Sequence, residues 1–138
     1  MTNSGLMGTA LDIVGKIWNA PNTAIGLIWG GIGLLGGADV SIGNNAIQFT
    51  NHPLMFGAIT LGNTISYAPD FGPEFELSNG TVGQHEMQHT IQGQVLGPLY
   101  LPSNILGGAA GLILNRSWGG SANWNEVGPY STPPRPWP

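Results

Sequence analysis

The sequence predicts an α+β domain in which short antiparallel strands accompany one polar helix and several Gly-rich apolar helices. Three observations carry this reading. Residues 81–96 form a proline-free run that Gly97-Pro98 closes, the pattern of a helix with a C-terminal stop. Residues 46–50 and 64–67 alternate apolar and polar side chains, the period of a half-buried strand. Residues 4–18 and 23–38 are long, apolar and rich in glycine, with rows of hydrophobic residues at helical spacing.

The chain of 138 residues suffices for one domain and is short for two. Only 7% of residues are charged, the formal net charge is -4, and the cations are Lys16, Arg116 and Arg135. Nucleic acid is therefore excluded as a partner, because phosphate neutralisation needs clustered Lys or Arg. The absence of cysteine excludes disulfides and thiolate metal sites, and is compatible with an oxidising compartment.

In chain order, Ser4 offers a cap for a first helix reaching Trp18, with Leu6, Ala10, Ile13 and Ile17 on one row and Met7, Leu11, Val14 and Trp18 on the next. Pro21 suits the first turn of a second helix. Residues 23–38 lack charge but number 16, under the roughly 20 of a membrane span. Gly26 and Gly30 permit close backbone approach, either in a membrane pair or in a packed core. A classical signal peptide is not expected, because the apolar block starts late and no convincing A-x-A site follows. Residues 46–50, 58–61 and 64–67 are the expected strands, with turns at Gly43-Asn44-Asn45, Asn51-His52-Pro53 and Gly62-Asn63. Residues 69–79 read as a solvated loop carrying Asp70, Glu74 and Glu76. Residues 97–102 read as a rigid connector, Ser103 or Asn104 as the cap of a further apolar helix to about Leu114, and residues 132–138 as a Pro-rich tail in polyproline II conformation.

The chemistry concentrates at His85-Glu86-Met87-Gln88-His89. Residues four apart share a helix face, so His85 and His89 can reach one metal ion, and Zn²⁺ suits nitrogen ligands in a tetrahedral site. Glu86 beside them is placed to take a proton from water that the ion has acidified to a pKa of about 7. The pattern reads as metal-assisted hydrolysis of a carbonyl compound. Ser78-Asn79-Gly80 supplies N-cap chemistry just ahead of the helix. The bland alternative is a solvated His/Glu face.

A catalytic zinc generally has three protein ligands. Downstream of His89 the sole His or acidic residue is Glu126, 37 residues on. Its structural alternative is a capping box with Asn123. Upstream, His52, Asp39 and the acids of residues 69–79 remain open as ligands, and His52 reads more simply as a surface turn residue. Tyr130, Tyr100 and Arg116 are the candidate donors to an oxyanion, and Gln92, three residues past His89, is placed to orient a ligand from behind or to face solvent.

Residues 83–102 (GQHEMQHTIQGQVLGPLYLP) resemble the small zincin-like metallopeptidase domains at the C-termini of VgrG and Rhs spike proteins of type VI secretion systems. Residues 22–27 (NTAIGL), 43–49 (GNNAIQF) and 125–129 (NEVGP) with the Pro-rich end are similar to the same family, so the resemblance spans most of the chain. It implies one Zn²⁺ per chain held by His85, His89 and Glu126, with Glu86 as general base. It also implies an antibacterial effector delivered by an injection apparatus into the periplasm of a target cell, a cognate immunity protein, a spike carrier, and a peptide or peptidoglycan substrate. Spike-borne members carry a spike portion ahead of this domain; beginning at Met1, this sequence is expected to be either an excised domain or a free-standing relative. The competing expectation is a membrane-active toxin that inserts residues 6–38 and uses the metal structurally.

Overall fold

A computed structural model describes residues 3–138, with side chains from Gly5 onward. Two helices, α1 (Asn3–Trp18) and α2 (Ala20–Leu35), lead into a four-stranded sheet of β1 (Asp39–Gly43), β2 (Ala46–Thr50), β3 (Ala58–Leu61) and β4 (Thr64–Tyr67). A small hairpin, β5 (Glu76–Leu77) and β6 (Gly80–Thr81), feeds α3 (Val82–Leu96). A 3-10 turn (Gly97–Leu99) then joins α3 to α4 (Tyr100–Asn115), and residues 116–138 are turns and extended chain. The architecture is α+β. The Ser4 side chain, expected as a cap, lies outside the described residues.

The sheet order is β1-β2-β4-β3. The strands at residues 46–50, 58–61 and 64–67 form where expected, but not all are antiparallel: β2 and β4 pair in parallel, Ile47 opposite Thr64. The seven-residue loop 51–57 carries the chain past β4's position to the far edge, and β3 then folds back beside it. An additional edge strand, β1, pairs antiparallel with β2 across Asn44-Asn45. Both asparagines have positive φ (50° and 62°), as a two-residue hairpin turn requires.

Glycines seat α2 on this sheet. A side chain at Gly26 would collide with Thr64 and Leu61, at Gly30 with the Phe49 ring, and at Gly33 with His52. The G-x-x-x-G spacing therefore serves core packing. Among the described residues no helix is long and apolar enough to cross a membrane. Ile65, Tyr67, Ala46 and Val82 form the hydrophobic core, flanked by Phe71 and Leu77.

The motif helix begins one short strand later than expected, because Ser78 and Asn79 form the turn between β5 and β6. Thr81 is the N-cap, accepting from the Gln84 N–H at 3.2 Å while the Gln84 side chain accepts from Thr81 N–H at 2.9 Å, a reciprocal capping box. The expected connector at residues 100–102 is instead the first turn of α4. Pro102 fits there because the first turn's N–H groups lack intrahelical partners. The tail packs along the body: Arg135 N–H donates to Gly128 O, and Asn79 Nδ2 donates to Pro129 O and Ser131 O.

Candidate metal centre

Two buried imidazoles and a buried carboxylate converge behind α3. His85 and His89 share its inner face, and their Nε2 atoms lie 3.3 Å apart. Glu126 arrives from the turn after α4, its Oε2 at 3.1 Å from His85 Nε2 and 3.4 Å from His89 Nε2. Asn123 shapes that turn by accepting from Asn125 N–H at 3.1 Å, but the Glu126 side chain goes to the histidines, so no capping box forms. The close approach of α4 to this turn depends on Gly107, where a Cβ would strike Asn123.

Gln92 settles the protonation of His89. Its Nε2 donates to two carbonyls, Asn125 O at 2.7 Å and Pro136 O at 2.6 Å, so Oε1 must be the atom 2.9 Å from His89 Nδ1. His89 Nδ1 therefore carries the proton, and neutral His89 presents a lone pair from Nε2 to the cluster. Gln92 is fully buried, not solvent-facing. Among the described residues, neither His85 Nδ1 nor Glu126 Oε2 has a conventional hydrogen-bond partner. The Glu126 contacts become hydrogen bonds when an imidazole carries a proton on Nε2, as neutral His85 does in one of its two tautomers.

Three mutually facing acceptors within 3.4 Å repel unless a cation or proton lies among them. Without a metal a proton fills that role. Burial lowers the His89 pKa, but Glu126, Glu86 and Gln92 more than reverse this and raise it to about 9. Burial raises Glu126, and the two imidazoles bring it down to about 2. The near-equal spacing also matches the roughly 3.3 Å edge of a tetrahedral site with bonds of about 2.0–2.1 Å. His85, His89 and Glu126 thus form a candidate divalent-metal triad.

Glu86 is buried and faces the same cavities as the triad. Thr60 Oγ1, on β3, donates to its Oε2 at 2.6 Å, fixing one oxygen and leaving Oε1 without a hydrogen bond among the described residues. Tyr100 is buried and donates to Thr60 O at 3.1 Å, so its hydroxyl is already engaged. Tyr130 packs its ring on His85, centroids 4.4 Å apart, and is half-exposed at the mouth with no hydrogen-bond partner for its hydroxyl among the described residues. Burial, Glu126 and Glu86 raise its pKa, so it keeps its proton at neutral pH.

Other candidates fall elsewhere. Arg116 is exposed in a left-handed conformation at the end of α4 and lines neither cavity. His52 is fully buried rather than on the surface: its Nδ1 accepts from Leu54 N–H, its Nε2 donates to Trp29 O at 3.0 Å, and its ring stacks on Trp29. Asp39, Asp70, Glu74 and Glu76 are exposed. Sequence reasoning missed Thr60 and the Asn125 and Pro136 carbonyls; a threonine in a β-like run and two backbone oxygens leave no signal.

Compared with known protein families, curated proteins and solved structures, the chain matches none.

Proposed function

We propose that this chain is a zincin-like, zinc-dependent metallopeptidase. The observation that carries the reading is the convergence of His85, His89 and Glu126, with edges of 3.1–3.4 Å, beside a buried Glu86. One Zn²⁺ held by these three would supply Lewis acidity and lower the pKa of water. Gln92 fixes His89 in the metal-binding tautomer. Glu86, anchored by Thr60 through one oxygen, takes a proton from the attacking water through the other and returns it to the leaving amine. Tyr130, protonated and partly exposed, is the donor best placed for the oxyanion on the attacked carbonyl.

The likeness of residues 83–102 and 125–129 to spike-borne domains extends the proposal to biology. The protein would be an antibacterial effector of type VI secretion, carried on a VgrG or Rhs spike, acting in the target periplasm on protein or peptidoglycan amides, and neutralised by an immunity protein. Glu86→Gln preserves volume and the Thr60 contact. It should retain one zinc per chain while losing hydrolysis and toxicity.

A second reading, a membrane-active toxin with a structural metal, is favoured by the exposure of Leu6, Met7, Leu11, Ile13, Val14 and Ile17 along α1. Undiminished toxicity of Glu86→Gln would select it.

A further inference from the structure

The candidate centre opens into two unequal cavities that share Ala58, Glu86, Trp118 and Glu126. The larger, of about 630 Å³, lies between β3, α4 and the loop 51–57 and is walled by Trp29, Met55, Phe56, Ile59, Ile105 and Trp118. It falls within the roughly 300–1,000 Å³ of sites that enclose a ligand group. The smaller, of about 280 Å³, adjoins His85 and Tyr130 and is narrowed by Phe71 and Val82. One wall of the larger cavity is preformed: Trp29 stacks on His52, which also holds its carbonyl, and its Nε1 donates to Met55 Sδ at 3.3 Å. Apolar surface continues onto the rim, where Phe56 is 93% exposed and Ile105 62% exposed.

Charge narrows the occupant. None of the three cations of the chain lines either cavity, and the carboxylates of Glu86 and Glu126 line both. A divalent ion would only balance those two carboxylates. A substrate rich in carboxylates, such as a peptidoglycan stem peptide, would lose hydration here with no positive group to replace it.

We propose, resting on the metallopeptidase reading, that the substrate is a protein segment with a large apolar side chain on one side of the cut bond, seated in the larger cavity. On the other side it carries a small residue. Burial of the apolar side chain supplies the selectivity.

The test uses the zinc-loaded full chain and matched quenched-fluorescence peptides. These carry Phe, Leu, Ala or Glu on one side of a common amide and Gly or Phe on the other, with a synthetic stem peptide alongside. The expected result is a kcat/KM about 10–100-fold higher for Phe or Leu than for Ala, the scale of burying one such side chain, with Glu and the stem peptide lowest. Ile105→Asp should shrink that ratio about tenfold. Binding is read separately from tryptophan emission of Glu86→Gln, since Trp29 and Trp118 line the cavity. Tight binding of the Phe peptide without cleavage by the parent would leave the cavity assignment standing and remove the peptidase reading. Cleavage with no apolar preference, preference for the stem peptide, or no binding and no cleavage of any peptide would overturn the inference.

Discussion

Replacing Gln92 by Met removes three short hydrogen bonds at once while keeping an unbranched side chain of similar length. The bonds run from His89 Nδ1–H to Gln92 Oε1 and from Gln92 Nε2 to the carbonyls of Asn125 and Pro136, at 2.9, 2.7 and 2.6 Å. His89 Nδ1–H and Asn125 O would be left buried without a counterpart at about 1–3 kcal/mol each, while Pro136 O is only part-buried, so the loss should be about 2–6 kcal/mol. That is a large share of the roughly 5–15 kcal/mol that holds a domain folded. With the tautomer of His89 no longer fixed and the Glu126 turn released, zinc affinity should fall about 10–100-fold. Gln92→Glu separates the two effects: it still accepts from His89 Nδ1–H but turns a carboxylate oxygen toward two carbonyls. It should keep more zinc affinity than Gln92→Met while being comparably destabilised. Urea denaturation and competition with a chelating indicator measure the two quantities. Zinc affinity unchanged in Gln92→Met would refute the positioning role of Gln92.

Glu126→Ala should leave far-UV circular dichroism intact yet bind zinc substoichiometrically by elemental analysis; full zinc content would remove Glu126 from the centre. The metal-free protein should be most stable between pH 4.5 and 6.5. His89, at about 9 against 6.5 in the unfolded chain, contributes fully below 6.5 and loses its contribution as pH rises through 9. Glu126, at about 2 against 4.5, contributes fully above 4.5 and loses it as pH falls through 2. Bound metal displaces the His89 proton and should move the optimum upward, and a metal-free stability curve that is flat from pH 4.5 to 9 would contradict this. Gly30→Ala drives a methyl into the Phe49 ring and should cost about 1–3 kcal/mol; an unchanged melting temperature would deny α2 its packing role.

The parts of the fold visible in the sequence were those with a period or a punctuation mark. Residues 81–96 carry no proline and end at Gly97-Pro98, so α3 and the shared face of His85 and His89 could be read directly. Glu126 was accessible by elimination, since so few acids follow His89. Strand β1 alternates polar and apolar residues through Asp39-Val40-Ser41-Ile42, a legible strand signal, although its side chains stay exposed or half-exposed. The parallel pairing of β2 with β4 depends on where loop 51–57 delivers β3, which local pattern does not encode. His52 looked like a turn residue because it sits in a turn; its burial comes from Gly33 on α2, whose missing side chain leaves room for the ring. Thr60 and the tail carbonyl of Pro136 act through contacts 26 and 44 residues away in sequence, where spacing has nothing to say.

The most direct test is anomalous X-ray scattering at the zinc edge from crystals of the zinc-loaded chain. A single peak about 2.0–2.2 Å from His85 Nε2, His89 Nε2 and a Glu126 oxygen is the expected result. A peak on other residues, or zinc held without Glu126, would contradict the triad on which the proposed chemistry depends.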